Sequence, residues 1–172
     1  MAIALTIALL IADSGNGRII RYSGFTGAGK GLNESVFGKI GTAAGEFRTP
    51  TGISVASSSG NIWIADTQNN RIQRCTPDGV TCATYTQPTG GTPFKVPWGV
   101  TVGPDGNIWV ADSGNDRIVE MAPNGTQLFS ATGADLGIPG GSLNGPFQVM
   151  FGPTGTIYIS VVWNNEVIEL AP

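Results

Sequence analysis

Short stretches of alternating apolar residues recur along the chain, and each of them runs into a polar turn. The phrase Ile-Ala-Asp-Ser-Gly-Asn-Gly-Arg-Ile begins at Ile11, and related phrases begin at Ile64, Val110 and Ile159. Alternation with a period of two residues predicts strands that bury one face, and Gly and Asn supply the conformations of tight turns. Because no stretch has convincing helical periodicity, the sequence predicts an all-β fold.

The repeated phrase has a long and nearly constant spacing. Arg18, Arg71, Arg117 and Glu166 occupy the same place in it and are 53, 46 and 49 residues apart. A period of that length indicates one supersecondary unit copied along the chain. The predicted units span about residues 1–45, 46–92, 93–142 and 143–172, within a single domain.

Each unit follows one template of four short strands. Pro-x-Gly opens the middle units at Pro50 and Pro97, and a Gly-Asn turn then precedes a strand that ends in Asp. A polar turn, a strand beginning with Arg and a hairpin follow. This order predicts a four-stranded antiparallel meander, and meanders with this period are the blades of a β-propeller. We expect about four blades, with the first and the last incomplete.

The two middle units carry the most regular phrases. Residues 60–72 read Gly-Asn-Ile-Trp-Ile-Ala-Asp-Thr-Gln-Asn-Asn-Arg-Ile, and residues 106–118 repeat this with few changes. These phrases resemble the NHL repeat family, and similar runs occur in propellers that resemble virginiamycin lyases. The resemblance implies a β-propeller of NHL-like blades. The last unit departs from the pattern, because Val161 replaces the expected Asp and Glu166 the expected Arg.

Composition and charge argue against several classes of partner. The 172 residues include 26 Gly and 11 Pro, only 12% are charged, and the net charge is −3. The basic residues are scattered, whereas a nucleic acid or an anionic membrane requires a basic patch. The sequence therefore predicts neither a nucleic-acid partner nor an anionic membrane surface as a partner.

The first twelve residues are apolar, but they are too few to span a bilayer. They are either the core of a signal peptide or strands of the first unit. We favour strands, because the stretch lacks a basic leader and continues directly into the first repeat phrase. The Gly-rich stretch Gly24–Gly45 is expected to be a connection between blades.

Cys75 and Cys82 flank a predicted hairpin turn at Asp78-Gly79, so they face each other across two strands. They form either a disulfide, which would require an oxidising compartment, or a pair of buried thiols. A zinc site is not expected, because the chain has no His and no second pair of Cys. The sequence indicates no metal and no cofactor.

Incomplete first and last units leave open strand edges, and open edges pair with any strand that fits. The chain either closes into a four-bladed ring, joins other copies in a larger ring, or adds copies end to end. We favour self-association through the edge strands Met1–Thr6 and Val167–Leu170.

Charged residues that recur in every blade are predicted to be structural, because catalysis needs different groups at one point. We expect turn capping and ion pairing for one set of six residues: Asp13, Asp66, Asp112, Arg18, Arg71 and Arg117.

Three aromatic residues are the best candidates for contact with a ligand or a partner. Trp98 and Phe147 follow Pro at the start of innermost strands, and Trp163 replaces a turn residue and is expected to be exposed. Trp63 and Trp109 are instead expected to pack between blades. No residue is predicted to be catalytic.

Three functions remain open at this stage. The first is a non-enzymatic scaffold, secreted or on the cell surface, that binds proteins or assembles with itself. The second is a lactonase-like, strictosidine-synthase-like or lyase-like enzyme; without His it would depend on carboxylates, and Glu46, Asp105 and Asp135 are the ones to test. The third is an NHL module that binds a ligand such as RNA.

Overall fold

The computed structural model describes residues 7–25 and 33–170, which fold into four antiparallel sheets. In every sheet, strands that are consecutive in sequence lie side by side. The predicted all-β propeller architecture is therefore confirmed, and the four sheets lie within the four predicted units. None of the helices in the described part of the chain is long and apolar enough to cross a membrane.

The strands have the following bounds. The first sheet contains β1 (Ile7–Asp13), β2 (Arg18–Phe25) and β3 (Asn33–Phe37). The second contains β4 (Pro50–Val55), β5 (Ile62–Asp66), β6 (Arg71–Cys75) and β7 (Cys82–Tyr85). The third contains β8 (Pro97–Val102), β9 (Ile108–Asp112), β10 (Arg117–Met121) and β11 (Gln127–Thr132). The fourth contains β12 (Pro146–Phe151), β13 (Ile157–Val161) and β14 (Glu166–Leu170).

The two outer sheets lack different strands. Strand β1 carries the Ile-Ala-Asp phrase and therefore corresponds to β5 and β9, the second strands of the complete sheets. Among the described residues, the first sheet thus has no counterpart of β4, and the last has no counterpart of β7. The candidate edge strand Met1–Thr6 lies outside the described residues.

One connection was assigned too broadly. The stretch Gly24–Gly45 is not a connection throughout, because Asn33–Phe37 within it forms β3 and pairs with β2. The prediction rested on Gly content, and it was wrong because β3 is a polar strand without strong apolar alternation. Four of its five residues are exposed.

The sheets follow one another in an open arc. Strand β1 packs against β4, β4 packs against β8, and β8 packs against β12. No extensive contact joins the first sheet to the last in the part of the chain that the structure describes. The four sheets therefore do not close into a ring by themselves.

Glycine in the Pro-x-Gly motif lets the innermost strands approach closely. A Cβ atom on Gly99 would lie 2.4 Å from the carbonyl oxygen of Phe147. One on Gly52 would lie 2.7 Å from the carbonyl oxygen of Trp98. A side chain at either position would push neighbouring blades apart, which explains why the motif needs Gly.

A hydroxyl group links each sheet to the next. Thr67, directly after the Asp of β5, donates its hydroxyl proton to the carbonyl oxygen of Pro97 at 2.8 Å. Ser14 and Ser113 make the same bond to Pro50 and Pro146. The equivalent residue of the last sheet is Val162, which has no hydroxyl group.

The apolar core is divided into three clusters, one between each pair of neighbouring sheets. Ile19, Phe47 and Ile64 lie in the first cluster, Trp63 in the second and Val149 in the third, and all five are buried. Each sheet thus stabilises only its neighbours, as in other repeat proteins.

Candidate functional site

The three predicted aromatic contact residues line one groove. The rings of Trp98 and Phe147 are 5.0 Å apart between centroids and are inclined by 50°. Trp163 joins them from the turn between β13 and β14. We call this the aromatic groove; its volume is about 300 Å³, and its lining is completed by Val96, Ser113, Gly114, Gly145 and Val162.

A β-bulge directs Trp98 and Phe147 out of their sheets. Pro97 pairs with Asp112 and Gly99 with Ala111, so Trp98 is an extra residue without a partner. Phe147 is the extra residue of β12 in the same way. A bulged residue re-aims its side chain, and the two rings are 37% and 38% exposed although they belong to innermost strands.

The segment directly before β12 holds the turn that carries Trp163. The backbone N–H of Trp163 donates to Asn144 at 3.3 Å, and that of Val162 donates to Gly145 at 3.2 Å. Gly145 has φ of 75°, and a Cβ atom there would lie 2.5 Å from the Trp163 ring. The absence of a side chain at Gly145 therefore provides the space that the indole occupies.

Asp116 fixes the segment before β12. Its carboxylate accepts hydrogen bonds from the backbone N–H groups of Leu143 and Gly145 at 3.0 Å each. It also accepts the hydroxyl proton of Ser142 at 2.5 Å. These three bonds direct the carboxylate toward the segment before β12, and Asp116 does not line the aromatic groove.

The Asp and Arg series forms ion pairs within the blades. Asp66 and Asp112 each accept a hydrogen bond from an Arg Nε at 2.7 Å, and both carboxylates are fully buried. The Asp13–Arg18 pair has the same length but is more exposed. Arg18 is also the main reason why the pKa of Asp13 lies below its ordinary value.

Each buried Arg also holds the connection that leads into its own blade. Arg71 donates to the carbonyl oxygens of Thr42, Ala43 and Glu46 at 2.6–2.8 Å. Arg117 binds the carbonyl oxygens of the matching connection before β8. These contacts give the recurring Asp and Arg residues a structural role in each blade.

The three carboxylates proposed for an enzyme lie in separate turns. Glu46 accepts the N–H groups of Ala43 and Thr42 and pairs with Lys39. The Ala43 bond first, and then the Lys39 contact, keep the pKa of Glu46 below its ordinary value. Asp135 accepts the N–H and hydroxyl of Thr132, which likewise lowers its pKa. Asp105 accepts the N–H of Asn107. In residues 7–25 and 33–170, no cluster of three or more His, Cys, Asp or Glu residues has the arrangement of a metal site.

The two cysteines are joined in a disulfide. Cys75 pairs with Cys82 across β6 and β7, and their sulfur atoms are bonded. Cys75 is fully buried against the cluster that contains Ile62 and Ile64. The cross-link therefore connects the outermost strand of the second blade to its core.

Reducing this disulfide is expected to lower the free energy of unfolding by about 2.5 kcal/mol, because it closes a loop of about eight residues. Urea unfolding with and without a thiol reductant measures the change. A variant with both Cys75→Ala and Cys82→Ala is the control, since its stability should not respond to the reductant. Equal stability of the native protein with and without reductant would contradict the prediction.

Sequence reasoning missed part of the aromatic groove. It named the three rings but not Val96, Val162 or Gly145. A signal for Val162 was present, because the aligned position holds a hydroxyl residue in the other three units. Gly145 gave no signal, since its role depends on where the Trp163 ring lies in space.

Comparison with known proteins identifies the repeat. The NHL repeat model matches residues 47–75 and 94–120, which cover the first three strands of each complete blade. The predicted NHL resemblance is confirmed. Comparison with curated protein sequences gives no match.

Solved structures with the same fold include several propellers. A catalytically inactive virginiamycin B lyase from Staphylococcus aureus, with quinupristin, is 20% identical with a TM-score of 0.67, over 98% of this chain and 53% of that one. A protein of unknown function from Bacteroides caccae is 18% identical with a TM-score of 0.62, over 95% and 54%. A gluconolactonase from Xanthomonas campestris is 16% identical with a TM-score of 0.51, over 64% and 33%. The chain thus spans about half the length of the first two.

Proposed function

We propose that this chain, which carries two NHL repeats in a β-propeller fold, is a non-enzymatic scaffold that associates with further copies of itself. The association uses the open faces of the first and the last sheet, together with their strand edges. The open arc of four sheets is the observation that supports this proposal most strongly.

The first sheet exposes residues that the complete sheets bury. Leu9 and Ile11 of β1 are 47% and 40% exposed. Their counterparts in β5, Ile62 and Ile64, are 2% and 0% exposed. Ile62 and Ile64 pack against Ile19 of the first sheet, so the difference marks the face of the first sheet on which no preceding sheet packs among the described residues.

The last sheet has a corresponding exposed apolar face at the other end of the arc. Val167 of β14 is 67% exposed, whereas its counterparts Ile72 and Ile118 are almost fully buried. Ile72 packs against the third sheet and Ile118 against the fourth, so Val167 lies on a face that a following sheet would cover. Burial of each such side chain favours association by about 1.5–3 kcal/mol.

The concave face of the arc also exposes apolar side chains. Val55 and Met150 are 46% and 59% exposed, and they border a wide concavity along the innermost strands. A complete ring would enclose this face as its central channel.

The two exposed faces lie at opposite ends of the arc, so a contact between them is head-to-tail. Such a contact closes into a ring where the rotation permits and otherwise extends into a filament. The Cys75–Cys82 disulfide supports a secreted or surface location, because disulfides persist in oxidising compartments.

An enzymatic function has less support. Two structural neighbours are a lyase and a gluconolactonase, and the lyase is an inactive variant in which Ala replaces His. These 172 residues include no His. Glu46, Asp105 and Asp135 each cap a separate turn, so they do not converge on one substrate. The net charge of −3 argues against the hypothesis that the chain is an NHL module that binds RNA.

A Lys at the open edge of β14 tests the association. We expect Val167→Lys to shift the particle from a multiple of the chain toward the monomer, because the new charge would be buried at the contact. The mass is measured by light scattering after size exclusion at equal protein concentrations. Val80→Lys is the control, since Val80 is 81% exposed in a turn away from both edges. If Val167→Lys and Ile11→Lys both keep the native mass, the edges are not the contact.

A further inference from the structure

The turn that carries Trp163 departs from the equivalent turns of the other three blades. Those turns begin with Ser14, Thr67 or Ser113, and each hydroxyl group binds the next sheet. The fourth turn begins with Val162 and Trp163, which are 44% and 78% exposed. In the other three blades this turn begins with a polar residue that is hydrogen-bonded to the next sheet. In the fourth blade it begins with apolar residues that are exposed to solvent. We propose that the aromatic groove beneath it binds a small uncharged molecule with an aromatic ring.

The lining of the groove favours a neutral ligand. None of its eight residues is charged. The nearby Asp116 carboxylate is occupied by the N–H groups of Leu143 and Gly145. The hydroxyl of Ser113 is bonded to Pro146. A charged ligand would lose hydration without gaining a partner.

The rings favour an aromatic ligand over an aliphatic one. Trp98 and Phe147 already lie in a tilted pair, and Trp163 lines the same groove. Aromatic rings attract each other in inclined and offset arrangements by more than their buried area alone provides. Gly145 leaves the space for the Trp163 ring, so that this third surface is held against the start of β12.

The size of the groove favours a small molecule over a protein partner. Its volume of about 300 Å³ is at the lower end of the range for small-molecule sites. A stable protein contact buries about 800 Å² on each partner, which is far more than this groove offers. None of the eight lining residues belongs to β1 or β14, so the inference does not depend on self-association.

Naphthol is a suitable probe, because it is neutral and aromatic. Binding is measured by saturation-transfer NMR and by quenching of Trp fluorescence. We expect naphthol to bind, and naphthoate, its charged analogue, and cyclohexanol, a non-aromatic ring, to bind at least about tenfold more weakly.

Variants locate the site. Trp163→Ala is expected to weaken naphthol binding about tenfold, and Trp163→Phe is expected to restore most of it. The matched control is Phe129→Ala, because Phe129 is an exposed aromatic residue on β11 outside the groove. This control should bind naphthol as the native protein does.

Three results would overturn the proposal. One is the absence of naphthol binding up to its solubility limit, and another is equal binding to the native protein and to Trp163→Ala. The third is binding to Val167→Lys but not to the native assembly, because it would mean that a second copy covers the groove. Loss of self-association in Val167→Lys with unchanged naphthol binding supports the site independently of the scaffold.

Discussion

Asp66→Ala is expected to lower the free energy of unfolding by about 3–5 kcal/mol, the cost of removing one partner of a buried ion pair. Asp66 is fully buried and accepts hydrogen bonds from Arg71 at 2.7 Å and from Asn69 and Gln73 at 2.9 Å. It also accepts the N–H of Arg48 at 2.7 Å. The substitution leaves these donors without their shared acceptor. Since domains are stable by only about 5–15 kcal/mol, urea unfolding should detect a large change.

Asp13→Ala is the matched control for this prediction. Asp13 holds the same place in the repeat and makes the same 2.7 Å bond to Arg, but its side chain and that of Arg18 are 21% and 41% exposed. Water can replace the lost partner there, so we expect a much smaller loss of stability. Equal losses of stability in the two variants would show that burial does not determine how much these ion pairs contribute to the free energy of unfolding.

Trp63→Ala is expected to cost about 3–5 kcal/mol, as for other large aromatic residues removed from a core. Trp63 is 1% exposed between the second and third sheets. Its ring stacks on Tyr85 at 5.5 Å, and the Arg74 guanidinium lies 5.8 Å from its centroid. Because each core cluster joins only two sheets, the cavity should weaken that junction in particular. Urea unfolding gives the total, and hydrogen exchange shows which sheets open.

Trp163→Ala is the control for Trp63, because it removes the same side chain from a site that is 78% exposed. We expect its stability to stay within about 0.5 kcal/mol of the native value, as at other exposed sites. A loss as large as that of Trp63→Ala would mean that Trp163 is part of the core. It would then be unsuitable as a test of the aromatic groove.

The strands and their order follow from local signals in the sequence. The Ile-Trp-Ile-Ala-Asp and Arg-Ile phrases predict β5 and β6, and the Asp78-Gly79 turn predicts that Cys75 faces Cys82. Alternation, turn residues and repetition all indicate the same blade, so the fold could be predicted with no alignment. Strand β3 escaped because its polar residues carry no such alternation.

The site depends on features that no local pattern encodes. The sequence identified Trp98, Phe147 and Trp163, but their convergence requires bulges in β8 and β12 and a turn from the next hairpin. Gly145 contributes by the side chain that it lacks. Local sequence patterns therefore do not reveal these contacts between sheets, which depend on the three-dimensional structure.

The mass of the native particle tests the central claim most directly. One chain has a mass of 17.8 kDa, and the open arc predicts a discrete multiple of this value, as in a ring, or long fibres. Light scattering measures the mass, and negative-stain electron microscopy of the same sample distinguishes rings from fibres. A single monodisperse species of 17.8 kDa across the accessible concentrations would contradict the account, because the exposed edges of β1 and β14 would then have no second copy to pair with.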